Sequence, residues 1–545
     1  MLGRRALLAA GAAAVAAPAV AQSIVSDVAD VTQPVMLDDR IARGYRRDVL
    51  IRWGDRVAFD APAWTPEVPT AQGAASQFAW DARVVALVQP PPAADGVPRL
   101  VLVATHARID PVMAFPAERP MPELEQGMVG ASLVNLEFLG GRWVVVDGGF
   151  QARRLTATTL CRIAGPAAGH ARLRTDADPA GMAARGLLRA EGGCATPWGT
   201  VLLAEGDATA ELAAWRGGIA NEANRFGWVV ELDPLNPTAV PAKRTALGRF
   251  PKDSVAVART ADGRPVVYLT EARADGFLYR FVAARAPDGT TAEANGALLD
   301  EGSLAVAQVE GATLRWRDLP ATAESLIEAR AAAEAVGATP FDRPAGLAVH
   351  ADGRLFLACR GNPQRGARTD ALNPRPINSF GHVVELTPAN LDHGAATAEG
   401  AVLILGGDPR QPGATARYGA GTQVWLAAPA VLELDRAGRL LIGTAQGGLQ
   451  RSTGIADGIF LCGTRPGASR GVLNMLYAAP RAAAIGGIRL TPDGATLVAA
   501  VRTPGAEPGA SFTRPATRWP SFQPGEPPRS TVIAIAREAG GPIGG

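Results

Sequence analysis

One short phrase keeps returning ahead of an apolar run. It stands as "ADGR" at Ala261 and again at Ala351, as "RAGR" at Arg436 and as "PDGA" at Pro492. Asp-Gly or its equivalent before apolar residues is a tight-hairpin signature, read here as a type I′ turn. A chain punctuated in this way keeps turning back on itself and has little room for long helices. Strand-like runs follow most of these turns, at 143–146, 264–270, 354–358, 439–443 and 495–501. The exception is 321–336, "ATAESLIEARAAAEAV", whose alanines and spaced polar residues predict one helix ending at Gly337. The expected fold is all-β: a β-propeller with long inserted loops and few short helices, with a pair of β-sandwiches as the architectural alternative. The first three phrases lie 85 to 90 residues apart, near twice a usual blade of roughly 40 to 45. The irregular stretches around 363–378 and 504–528 read as loops crossing one face.

Charge excludes one class of partner. Lys and Arg number 54 against 52 Asp and Glu, with no long run of one sign, so nothing here tracks a nucleic-acid backbone. With 47% apolar residues the chain is folded despite 62 Gly and 43 Pro. It opens with Arg4 and Arg5, a short apolar run and Ala19-Val20-Ala21. These are the three parts of a secretory signal, read as residues 1–21 and of the twin-arginine type. The apolar run is too short to span a bilayer, which needs about 20 such residues. The mature chain, 22–545, is expected to form one propeller domain, periplasmic or secreted, with no membrane segment after cleavage. Cys161, Cys194, Cys359 and Cys462 have no C-x-x-C spacing, which excludes a zinc ribbon and favours buried thiols over disulfides. No Gly-x-Ser-x-Gly elbow, P-loop or dinucleotide fingerprint is present.

"TPWGTVLLAE" at Thr196, "LGRFPKDSVAV" at Leu247, "VYLTEARADGFLYRF" at Val267, "FDRPAGLAV" at Phe341, "NPRPINSFGHVVEL" at Asn373 and "TPDGATL" at Thr491 follow one another in order. In that order they resemble the PhoX-type secreted alkaline phosphatases. The resemblance implies a propeller phosphatase that holds iron and calcium at one mouth through carboxylates, a cysteine and other oxygen ligands. Calcium takes several hard oxygens, and clustered metals neutralise phosphoryl oxygens while activating an oxygen nucleophile. A small phosphorylated molecule is the implied substrate.

The phrases are kept while many ligand positions change. Where the family places its iron-binding cysteine this chain has Glu191, with Cys194 displaced by three positions. The Glu-Glu pair is Glu205-Gly206, and His-Glu is Lys252-Asp253, which sets a positive charge beside the surviving acid. Carboxylates give way to Ala107, Ala345, Ala430 and Ala445, and Gln-His-Pro-Gly becomes Arg502-Thr503-Pro504-Gly505. The remaining candidate metal ligands are Glu191, Glu205, Asp253 and Glu271, with His106 and His170 near. His170 and His382 read as structural hydrogen-bonding groups, and Trp198 as core. Arg343, Arg360 and Arg375 are candidates for lining a mouth and gripping an anion. Three functions stay open: a phosphomonoester hydrolase with weak or altered activity, a non-catalytic propeller that binds a ligand or protein, and a calcium-dependent propeller hydrolase. The acids left suffice for a single calcium at most.

Overall fold

The computed structural model describes residue 28 and residues 30–545; the expected signal, 1–21, lies outside the described residues. Each recurring turn closes the hairpin between the innermost strand of a sheet and the next strand outward. The hairpins join Lys252–Arg259 to Pro265–Glu271, Pro344–Val349 to Leu355–Cys359, Pro429–Leu434 to Leu440–Thr444, and Ala484–Leu490 to Thr496–Arg502. A fifth hairpin, at Gly96, joins Ala82–Val88 to Arg99–His106, and a sixth, through Gly199, joins Ala190–Ala195 to Val201–Glu205. The sheets pack innermost strand to innermost strand in a closed ring, which makes a six-bladed propeller. Blades are numbered one to six from Ala82–Val88 to Ala484–Leu490. The last blade takes Tyr45–Arg52 as its outer strand, paired with Thr531–Arg537, so the two ends of the chain clasp the ring shut.

The turns differ from the expected type. Gly263 N donates to Thr260 O (2.9 Å), Gly353 N to His350 O (3.0 Å) and Gly438 N to Asp435 O (3.0 Å). Glycine occupies the last turn position with φ of +87°, +92° and +78°. Asp262 and Asp352 are absent from the positive-φ residues, so these are type I turns closed by a glycine bulge, not type I′. Each phrase marks one blade, not two. Blades exceed the usual length because long loops, 360–381 and 503–530 among them, are inserted on the face opposite the hairpins. The expected strands each lie one residue further along or back, as in Arg142–Val145 and Thr496–Arg502. The expected helix is two, Ala323–Ile327 and Ala329–Ala335. Arg249 N donates to Leu326 O (2.7 Å), pulling that carbonyl out of the helical ladder, and the end at Gly337 (φ +78°) is as read.

Small residues let the ring close tightly. A Cβ on Gly192 would stand 2.5 Å from Asp253 O, on Gly346 2.7 Å from Ala430 O, and on Gly486 2.4 Å from Ala82 O. The innermost strands therefore touch backbone to backbone. The channel between them is lined by residues of all six blades and encloses only about 50 Å³, room for a water or two.

Candidate functional site: the mouth of the central channel

Every innermost strand breaks register with its neighbour near the loop-bearing face. The irregularities fall between Val84 and Ala86, Ala190 and Gly192, Lys252 and Val255, Pro344 and Leu347, Pro429 and Val431, and Ile485 and Ile488. A bulge turns a side chain off the sheet normal. Here the device recurs six times and places Val85, Glu191, Asp253, Ala345, Ala430 and Gly486 in the bulges around one mouth. Only two of these carry a ligating group.

Glu191 is buried, and arginines hold it from several sides. Arg83 pairs with its carboxylate and donates Nη1 to its carbonyl (2.8 Å). Arg108 donates Nε and Nη2 to Oε1 (3.2 and 2.9 Å), and Arg189 stands 3.4 Å away. Burial alone would raise the Glu191 pKa, but these guanidiniums outweigh it and hold the carboxyl well below the usual range. Asp81, 1% exposed, is shared between Arg83 Nη2 (3.3 Å) and Arg502 Nε (2.6 Å). Asp253 differs: among the described residues no hydrogen bond or ion pair engages its side chain. Burial raises its pKa despite the field of Arg360.

Arginine dominates the mouth. Arg83, Arg108, Arg189, Arg360 and Arg502 face Asp81, Glu191 and Asp253, Arg189 is also paired with Glu211 (2.6 Å), Asp457 lies in the field of Arg360, and Arg343 lies beside Arg360. Burial, then repulsion from Arg83, lowers Arg502 to about 10. Arg360 is lowered by burial as well, against the pull of Asp253. The Arg360 side chain makes one bond among the described residues, from Nη2 to Ala445 O (2.9 Å), and its Nε and that of Arg83 are buried without a partner among them.

Glu205 and Glu271 do not join this group. They end the second strands of blades two and three, fully buried, and each meets a cation there, Arg330 being shared with Asp275 and Glu334. Lys243 Nζ lies 2.7 Å from Glu205, which also accepts from Leu188 N and Trp228 N (both 3.3 Å). Arg330 Nη1 lies 2.9 Å from Glu271, which accepts from Phe277 N (3.1 Å). Lys252 was expected beside Asp253, but alternation along the strand turns it the other way. Its buried Nζ donates to the carbonyls of Gly227 (2.7 Å), Gly248 (2.8 Å) and Phe250 (3.2 Å).

The histidines have other partners. His106 contacts Trp80 O (3.1 Å) and Ser132 Oγ (2.8 Å), and burial lowers its pKa well below the ordinary value. His170 meets Glu324 (3.1 Å), and His382 contacts Asn378 and is lowered by burial to about 3. Trp198 is fully buried, donating to Glu231 (2.9 Å). Arg375 lies apart from the mouth, bonded to Gly406 O (2.9 Å). The four cysteines are free thiols, with Cys194 packed against the core of blades two and three.

The donor set bears on the implied metals. Among the described residues, no group of three or more His, Cys, Asp or Glu side chains converges where a metal ion could sit. An iron and calcium cluster needs several such groups, and the bulge positions around the mouth bring only Glu191 and Asp253. The residues present do not fit the cluster. Sequence reasoning reached Glu191, Asp253, Arg343 and Arg360 but missed Arg83, Arg108, Arg189 and Asp81 as mouth residues. Part of the signal lay in the changed phrases: Arg108 follows Ala107, Arg189 precedes Glu191, and Arg502 opens the altered Gln-His-Pro-Gly segment.

A family model described as Alkaline phosphatase PhoX matches residues 28–505. Among solved structures, Pseudomonas fluorescens PhoX in complex with vanadate, a transition state analogue, is 28% identical with a TM-score of 0.86, covering 95% of this chain and 99% of that one. Two other similarities carry only TM-scores below 0.5. They are a protein of unknown function from Dyadobacter fermentans (8% identity, TM-score 0.37, covering 91% of this chain and 100% of that one) and a gluconolactonase from Xanthomonas campestris (11%, 0.26, 90% and 99%). No curated protein matches this chain.

Proposed function

The chain belongs to the alkaline phosphatase PhoX family, and from that premise we propose that it is an exported protein that takes a phosphorylated small molecule at the mouth and hydrolyses it weakly. Membership supports a phosphatase-like function, in a family that depends on metal ions. The relative of known structure binds vanadate, a mimic of phosphoryl transfer. The reading of weak turnover rests on one observation: of six bulge positions around the mouth, only Glu191 and Asp253 bring a carboxylate, and Glu191 is already neutralised by arginine. Without several carboxylates the site lacks the usual means of holding metal ions and activating an oxygen nucleophile. What the arginines supply is charge and orientation for phosphoryl oxygens, which favours binding over turnover. The same observation favours the second reading, a propeller that binds its ligand and releases it unchanged.

The test is turnover of p-nitrophenyl phosphate by the mature protein, with iron and calcium counted per chain. Turnover far below the enzyme range of roughly 1 to 1000 per second, with neither metal bound stoichiometrically, is the expected result. Fast turnover with bound metals overturns it.

A further inference from the structure

Resting on the reading that the mouth takes a phosphoryl group, we propose that it is a metal-independent oxyanion receptor in which Arg360 and Arg502, with Arg108 at the rim, supply the positive charge. Three observations converge on these side chains.

The first is division of labour. Asp81 and Glu191 spend their oxygens on Arg83, Arg108, Arg189 and Arg502. They act as positioning residues that fix guanidinium forks around the axis. The second is spare donors. Arg502 uses only Nε, toward Asp81, and Arg360 only Nη2, toward Ala445 O. Among the described residues Nη1 and Nη2 of Arg502 and Nη1 of Arg360 have no partner, and a guanidinium offers five donors in a planar fork suited to phosphate. The third is charge. Arg502 and Arg360 repel Arg83 and each other in a partly buried setting, and a bound dianion would relieve that repulsion. Asp253 is the mouth carboxylate with no partner among the described residues, so its charge opposes an anionic guest. The channel beneath, about 50 Å³, stops a guest from sinking below the arginines.

The metal and guanidinium readings differ in sign at Asp253. If metals carry the anion, Asp253→Asn removes a ligand and weakens binding. If arginines carry it, the same change removes a repelling charge and leaves binding equal or tighter.

The experiment is calorimetric titration of the mature protein with orthovanadate and with inorganic phosphate, in EDTA and without it. Equal affinity in both conditions, a loss of roughly 10- to 100-fold in the Arg360→Gln, Arg502→Gln double variant, and unchanged or tighter binding by Asp253→Asn are expected. Arg360→Lys, which keeps the charge and loses the fork, is expected to retain part of the affinity, and its melting curve shows whether a loss reflects unfolding. Binding abolished by EDTA, or weakened by Asp253→Asn, overturns the receptor while leaving the phosphoryl reading in place. Absence of binding in both conditions overturns both.

Discussion

The mouth and the layer one strand outward handle the same problem, a carboxylate removed from water, in different ways. In the outer layer each buried acid meets a cation at close range: Glu205 with Lys243, Glu271 with Arg330, which also reaches Asp275 and Glu334, and Glu231 with Arg244 (2.7 Å), which also reaches Asp300. The Glu205 and Glu231 pairs are closed to solvent, Glu271 is buried beneath a partly exposed Arg330, and all three acids are completed by backbone or side-chain donors, so their charges are spent on the fold. At the mouth several N–H groups of Arg360 and Arg502 have no partner among the described residues. Matched buried charge fixes a structure, whereas unpartnered donors at an opening are free to meet something from outside.

The largest effect that would break this comparison is in the outer layer. Lys243→Met leaves Glu205 buried and uncompensated, with an expected cost of about 3–5 kcal/mol in denaturant unfolding. Glu205→Gln combined with it should recover most of the loss, and additivity in that double-mutant cycle would contradict the pairing.

Next comes pH. Burial raises Asp457, at the edge of blade five, to about 6, above an unfolded value of about 3.9. A raised folded pKa gives stability that is full below the unfolded pKa and lost as pH rises through about 6. Asp457→Asn should flatten that window, recovering on the order of 2 kcal/mol at neutral pH. Glu191 runs the other way. Its pKa is depressed in the fold, so its contribution is present above the unfolded value and is lost as pH falls through the folded one. Melts of Glu191→Gln against the parent across the acid range should therefore differ most above about pH 4.3 and converge below it.

A smaller effect concerns the rim. Arg108 is half-exposed and is one of several partners of Glu191, so Arg108→Ala should cost no more than about 1 kcal/mol. A cost like that of Lys243→Met would erase the distinction between the two regions. The smallest is Arg360→Gln: removing an unmatched, partly buried cation should leave the melting temperature unchanged or slightly higher.

How much could be read beforehand follows the range of the forces. The Asp-Gly phrases, the short strands and the helix stop at Gly337 are local, set by turn geometry and glycine's access to positive φ within four or five residues. The break inside the 323–335 helical segment was not legible, because the amide that draws out Leu326 O belongs to Arg249, far back in the chain.

The site divides in the same way. That Ala345, Ala430 and Ala445 bring no carboxylate was visible residue by residue, as was the presence of Glu191 and Asp253. That Glu205 is spent on Lys243, that Lys252 turns its charge toward three carbonyls, and that Arg83 and Arg502 share Asp81 was decided only by the ring. Residues 81 and 502 lie over four hundred positions apart and meet because the first and last blades close on each other. Sequence alone determined the turns, the strands and the inventory of charged groups. Tertiary structure decided which charges are matched, because the distance between two side chains, and the water left around them, depends on the closure of the whole ring.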